Sequence, residues 1–507
     1  MKRRIKITGK YLLIPICAEK ETRCVSFSDR NGKIYEFNIP VNDRKEPFYS
    51  FHYLAPLNME KWLGETITVE GDVPRSFLDG MALADAIPQA VQSHPLIHFA
   101  PNTGWMNDPN GLIFQDGVYH LFFQYNPFDT KWENMCWGHA VSTDLLHWEQ
   151  KETVLYPDEE GTIYSGSGIV NEKGLLGLPV DAQIYFYTCA GGRSQWSRGR
   201  TAVQKLACST DGGETLQKLE GCAVKHLAGE NRDPKVYWHE ESNAYYMVLY
   251  LDKNDFMILR SSDLRSWKKS QLFTLDQAWE CPDLRRIPVE GGRDKWVFWC
   301  ADGFYYLGDF DGYQFKTDGV QHKAYRTAIP YAAQTWWGTK EVITVPWLRT
   351  KNKGKLYTGC MGLPRRLTLA STKEGLRLRQ VPVDAYMQAR TNVYSHEGEG
   401  KVFYMMQKEG ALETCIHMEK PGGFTMNLYG TLISYSALTG RFAVGEEGVE
   451  LGKGLNDFSL IADGELLEVS AENGLVLAVL EMESDRKSGN VTVEAEGRAK
   501  VEFYRVR

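Results

Sequence analysis

With 507 residues, 43% of them hydrophobic, the chain is long enough for roughly two to four domains and for several buried cores. Its formal net charge of −7 leaves no basic footprint, which excludes RNA or DNA as a first expectation for a partner. No apolar stretch approaches the roughly 20 residues needed to cross a bilayer, so no membrane partner is expected either.

The chain opens with MKRRIKITGKYLLIPICAEKE, a basic start and a short apolar run broken by Pro15 and closed by charges. This reads as strand rather than as a signal peptide, and it predicts a cytoplasmic protein. Ten cysteines without a CxxC pair point the same way, towards free thiols in a reducing compartment. The absence of HExxH or clustered His/Cys spacing predicts no metal and no cofactor. Residues 1–92 alternate in the β manner, with turn signals such as DRNGK between runs, and predict a small sandwich-like accessory domain.

From 93 to 372 a pattern of strand, turn and aromatic strand recurs. Five units can be written: GLIFQDGVYHLFFQYN, SGSGIVNEKGLLGLPVDAQIYFYTCA, KVYWHEESNAYYMVLYLD, DLRRIPVEGGRDKWVFWCAD and AAQTWWGTKEVITVPW. An echo supports the repeat, because the segment Ser142 to Trp148, STDLLHW, returns as Ser261 to Trp267, SSDLRSW. Repeated all-β units with few helices predict a five-bladed β-propeller. Residues 373–507, with runs such as LRLRQVPVDAY, FTMNLYGTLISY and VLAVLEMES, predict a C-terminal β-sandwich packed rigidly on the propeller.

Within the repeat an acid stands one or two residues before a proline three times: Asp108 before Pro109, Asp233 before Pro234 and Glu280 before Pro282. A lone Asp-Pro is ordinarily an Asx turn. Three of them at the starts of strands that line one channel would converge on one pocket. Three carboxylates in a polar and aromatic pocket, with 14 Trp and 26 Tyr in the chain, suit cleavage of a glycosidic bond.

The motifs WMNDPNG, FFQYNP, WGHAVSTDLLHW, YSGSG, RDPKV and ECPDL follow one another in this order between about His98 and Leu369. Together they resemble glycoside hydrolase family 32, the β-fructosidases that include invertases, levanases and inulinases, with the bacterial levanase type nearest in appearance. IADGELLEVSAENG is similar to a late strand motif of that family's C-terminal module, whereas the first ninety-odd residues lie outside the usual pattern.

The resemblance implies Asp108 as nucleophile, Glu280 as general acid and base, and Asp233 as the carboxylate that stabilises the transition state. Glu280 would then be held protonated near neutral pH by burial beside two acids, and Asp233, flanked by Arg232, would clamp ring hydroxyls. The carboxyls of Asp108 and Glu280 would stand about 5 to 5.5 Å apart, the separation for retention. Asn107, Gln124, Trp132, Ser165 and Arg232 would contact the fructosyl unit. Tyr164 takes a place where Phe is commoner, Trp347 is a candidate for the rim, and Cys136 stands where related levanases often carry His. Cys281 is read as a packing residue beside Glu280.

The expected activity is that of a retaining exo-acting β-fructosidase on fructans, fructo-oligosaccharides or sucrose. A fructosyltransferase, a sucrose-6-phosphate hydrolase, a non-catalytic fructan binder and an arabinan-type hydrolase are the alternatives. Linkage preference, the role of the N-terminal domain and the association state, including a homo-oligomer, are left open by the sequence.

Overall fold

The structure is a computed structural model that describes residues 1–42, 50–88, 93–406, 410–483 and 489–507. The expected end of the accessory domain at 92 falls on residues 89–92, outside the described residues. The architecture is all-β: besides strands, the described residues form only the helices Arg75–Asp79 and Asp384–Ala389 and the turn of 3₁₀ helix Glu60–Trp62. No described helix is long and apolar enough to cross a membrane, and no cysteine is disulfide-bonded.

The opening run YLLIPI becomes the central strand Tyr11–Ile16 of a three-stranded sheet, buried along its whole length. A four-stranded sheet covers it in the order Lys2–Lys6, Thr66–Gly71, Thr22–Asp29, Gly32–Pro40. Val25, Phe27, Phe37, Ile39, Leu12 and Ile14 fill the space between, and this core continues without a break onto Phe128 and Cys136 of the next unit. An apolar core shared across the junction makes the N-terminal unit a fixed part of the molecule.

Five sheets then succeed one another in chain order, antiparallel save for one parallel strand at the edge of the first. Their first strands are Gly104–Gln115, Thr162–Val170, Arg232–His239, Asp283–Ile287 and Pro330–Thr335. Local chemistry accounts for the turns. In the first hairpin Asp116 (φ +52°) and Gly117 (φ +81°) make the left-handed pair that suits a two-residue connection between twisted strands. The repeated SxDLxxW segment is a turn used twice. Ser142 Oγ accepts the Leu145 N–H at 2.8 Å, and Ser261 Oγ accepts that of Leu264 at the same distance. Trp148 and Trp267 each donate their indole N–H back to the leucine carbonyl, at 3.2 and 3.0 Å.

The fifth sheet departs from expectation at its end. Gly375–Pro382, expected to open the C-terminal domain, pairs antiparallel with Arg365–Thr372 along its full length and completes this sheet instead. The run LRLRQVP carries no mark that separates a last blade strand from a first sandwich strand, because both alternate with period two. The chain also returns to its start. Tyr357–Thr358 pairs in parallel with Gly104 and Trp105, and Trp337 exchanges backbone hydrogen bonds of 2.9 Å with Leu112 and Phe114.

Beyond 390 two six-stranded antiparallel sheets share one core of Phe424, Phe442, Phe458, Val493 and Phe503. Their joint with the rest is polar and buried. Asp463 accepts the backbone N–H groups of Leu96, Ile97 and His98 at 2.8 to 3.2 Å, and His98 lies 2.9 Å from Asp463 and 3.2 Å from Glu468. Glu468 also accepts the Leu363 N–H at 3.0 Å and pairs with Arg365.

Burial opposes charge on the His98 ring, but the bonds to both carboxylates outweigh it and raise its pKa to about 9. Burial likewise opposes charge on Glu468, and Arg365 and His98 overcome it, holding the group down to about 2. Removing one member strands the others, so His98→Ala is expected to destabilise the protein by roughly 3–5 kcal/mol. The His98 ring contributes its charge-dependent stability in full below its unfolded pKa of 6.5 and loses it as pH rises through about 9. Thermal melts of wild type and variant should therefore differ most at pH 6, and an equal gap at pH 6 and pH 10 would show that ring charge is not what holds the joint.

Candidate active site

The strand starts do not deliver their acids by regular pleating. In four of the five first strands the pairing register slips at the site: between Met106 and Pro109, Ile163 and Gly166, Arg232 and Lys235, and Tyr331 and Gln334. Such bulges turn a side chain out of its strand's alternation, and here they release Asp108, Ser165, Asp233 and the segment after Tyr331. Asp233 (φ +63°), Glu280 (φ +34°), Cys281 (φ +47°) and Ala332 (φ +50°) all hold left-handed backbone. Each costs on the order of 1–3 kcal/mol, a strain gathered in one place.

The three acids meet through their neighbours. Cys281 donates its backbone N–H to Asp233 Oδ2 at 2.9 Å, and its Sγ lies 3.5 Å from both Asp233 Oδ2 and Asp108 Oδ2. Ser165 Oγ donates to Asp108 Oδ2 at 2.6 Å, and Thr188 Oγ1 accepts the Asp233 N–H at 3.0 Å. Arg232 donates from Nη2 to Glu280 Oε2 at 2.7 Å, while its Nε stays 3.8 Å from Asp233. The Tyr331 hydroxyl donates to the other oxygen of Glu280. Asp108, Asn110, Ser165, Asp233, Cys281 and Gln334 line the floor of the resulting cavity.

The elevated acids are Asp233 and Asp108. Burial drives Asp233 up to about 7, with the Arg232 charge opposing and Glu280 and Asp108 adding to the rise. Burial also raises Asp108, against the bonds from Ser165 and Asn107 and with the help of Glu280. Glu280 instead faces a guanidinium and a phenol, and its side chain is a quarter exposed. Arg232, expected to contact the fructosyl unit, gives its direct hydrogen bond within the site to Glu280, while the bulge at Arg232 to Lys235 sets Asp233 aside.

A buried acid raised in this way costs stability. The unfolded chain ionises Asp233 near 3.8, the folded one near 7, so stability falls as pH rises through that window. Asp233→Asn is therefore expected to melt higher than wild type at pH 8, by roughly 2–4 kcal/mol in stability, with the gain gone by about pH 4. A variant no more stable at pH 8 than at pH 4, relative to wild type, would contradict this.

Asn107 is buried, accepts the Trp105 indole N–H at 2.8 Å and bonds to Asp108. Gln124, also buried, reaches the site's edge by donating to the Ile163 carbonyl at 2.9 Å. Trp132 is 48% exposed and meets Tyr164 edge-on, with centroids 5.9 Å apart. Trp347 stands edge-on to Trp105 at 5.8 Å and to Tyr331 at 6.0 Å, and so joins the group through the phenol that holds Glu280. Cys136 lies away from this group, in the core shared with the N-terminal unit.

Sequence reasoning missed Tyr331, Gln334 and Thr188. Tyr331 follows Pro330 at the start of the fifth unit, and Gln334 is a polar residue in an otherwise apolar run. That unit was begun at Ala332, two residues after its strand starts, because it carries no acid. Arg349, stacked 4.1 Å over Tyr331, gave no signal.

The description "Glycosyl hydrolases family 32 N-terminal domain" matches residues 98–382. A levanase of Bacillus subtilis is 35% identical over 333 residues, covering 57% of this chain and 46% of its own. An invertase of Debaryomyces hansenii is 36% identical over 310 residues, covering 52% of this chain and 57% of its own. The match thus spans about half the length of these relatives. The crystal structure of an exo-inulinase from Aspergillus awamori superposes with a TM-score of 0.75 at 21% identity, over 83% of this chain and 99% of that one, and attests the fold.

Proposed function

Because the chain belongs to glycoside hydrolase family 32, we propose that it is a retaining, exo-acting β-fructosidase that releases terminal fructofuranosyl units from fructans, fructo-oligosaccharides or sucrose. The observation that carries the reading is the convergence of Asp108, Asp233 and Glu280 on Cys281 and Arg232, from strands far apart in sequence. Relatives named levanase and invertase support the substrate class.

In this reading the five sheets are blades of a five-bladed propeller, closed where Trp337 and Tyr357 meet the first sheet. The domains are an N-terminal sandwich to about 92, the propeller and a C-terminal sandwich, with the propeller ending after Pro382 rather than at 372.

Asp108 attacks the anomeric carbon and forms a covalent fructosyl ester, while Glu280 gives its proton to the departing oxygen. Water, deprotonated by Glu280, then attacks the same carbon and regenerates Asp108. Asp233, held by the Cys281 N–H, meets the ring hydroxyls and the cationic transition state without bonding to carbon. Arg232 ties the parts together. Ring hydroxyls that take its donors leave Glu280 to the Tyr331 hydroxyl. Trp132 and Tyr164 wall the mouth and narrow it to a chain end.

Incubation with sucrose, inulin and levan tests this. Free fructose should appear first, as the β-furanose anomer in an early NMR spectrum. An α-anomer would mean inversion, and an early ladder of oligosaccharides would mean endo action. Binding without any release of fructose would favour a non-catalytic protein.

A further inference from the structure

Gly32–Pro40 is the outer strand of the N-terminal four-stranded sheet. An open edge offers its N–H and C=O groups to any passing strand. Here a loop of the first large sheet takes them: Asn134 accepts the Asn38 N–H and donates to the Asn38 carbonyl, both at 2.8 Å. The same edge strand reaches a second loop, GGRSQWSRGR at 191–200. Glu36, only 8% exposed, accepts the Trp196 N–H at 2.8 Å on one oxygen and pairs with Lys33 on the other, and Lys33 Nζ lies 5.3 Å over the Trp196 ring.

That second loop carries Arg193, which pairs with Glu230. Glu230 in turn lies 3.5 Å from Arg232, whose other nitrogen holds Glu280 at 2.7 Å. Arg193 also comes near enough to Tyr164 for its charge to act on the phenol. A half-exposed guanidinium therefore stands at the mouth, on the side of the acid that serves the departing oxygen, on a loop fixed by a carboxylate from another module.

We infer that Arg193 binds the leaving sugar through its vicinal hydroxyls, and that Glu36 of the N-terminal module is a positioning residue that holds Arg193 there through Trp196. The fork of a guanidinium matches two neighbouring oxygens, whereas a flexible ammonium does not. This rests on the fructosidase reading above and gives the N-terminal module a task in it: setting the preference for what departs.

The test compares sucrose, whose leaving group is a sugar, with 4-nitrophenyl β-fructofuranoside, whose leaving group carries no hydroxyls. Arg193→Ala should raise KM for sucrose about tenfold and leave the aryl substrate unchanged. Glu36→Ala should shift the sucrose-to-aryl ratio of kcat/KM in the same direction. Equal effects on both substrates, or none, in Arg193→Ala would overturn the assignment. So would a Glu36→Ala protein that melts lower while its ratio stays at the wild-type value, since the contact would then be structural only. Wild-type protein inert towards both substrates would sink the fructosidase reading, and this assignment with it.

Discussion

Asp108→Ala is expected to abolish release of fructose from sucrose, inulin and levan, with a loss on the order of 10⁴-fold or more, the scale seen when a covalent nucleophile is removed. The carboxylate is the group in this site that can be both freed by a bulge and pinned by one hydroxyl, that of Ser165 at 2.6 Å. Its removal should not unfold the protein. Asp108 is only partly enclosed, and its charge works against Asp233, so deleting it relieves a repulsion inside the site. Melts should match or exceed wild type while initial rates vanish. The space left in the variant also admits a small anion. Azide added with an activated aryl fructoside should restore turnover and give the inverted fructosyl azide, because the anion attacks from the side where Asp108 stood. A variant that keeps activity within about tenfold of wild type, or that azide rescues with retention, would remove Asp108 from the nucleophile's role.

Much of this was legible because it is local. QDGV announces its hairpin through the two left-handed residues that the turn requires, and SxDLxxW announces a turn whose serine and tryptophan bonds close within four residues. The acid-proline pairs were legible for a related reason, since those at Asp233 and Glu280 open a strand and that at Asp108 lies within one. What the sequence does not carry is which carboxylate pairs with which cation. Arg232 directly precedes Asp233 in sequence yet donates to Glu280, because the bulge at Arg232 to Lys235 turns adjacent side chains apart. Tyr331 was hidden because its partner lies 51 residues away. The last strand of the fifth sheet was misassigned because period-two alternation reports a strand and not its neighbours. The N-terminal unit was legible as β and mute as to purpose, since its docking rests on Asn38 and Glu36, ordinary residues until Asn134 and Trp196 meet them.

Glu280→Ala is expected to split substrates by their leaving groups. Glucose departs from sucrose as an alkoxide unless protonated, so losing the general acid should cost roughly 10² to 10⁴-fold. An aryl fructoside leaves as a stabilised phenolate and should keep most of its rate in the first step. The surroundings of Glu280 add a second consequence. Its carboxylate helps to raise Asp233, and it occupies Arg232. In the variant that repulsion is gone and the guanidinium, already 3.8 Å from Asp233, is released towards it, so Asp233 should ionise below the wild-type position of about 7. Glu280→Gln keeps one acceptor oxygen, which can still take the Arg232 donor, but cannot supply a proton. It should therefore lose sucrose turnover as fully as the alanine variant while leaving Asp233 nearer its wild-type titration. The comparison separates proton transfer from the support of neighbours: sucrose rates report the first, and the carboxyl titration followed by NMR reports the second. Equal losses for sucrose and the aryl fructoside in both variants would mean that Glu280 holds Arg232 in place and is not the acid.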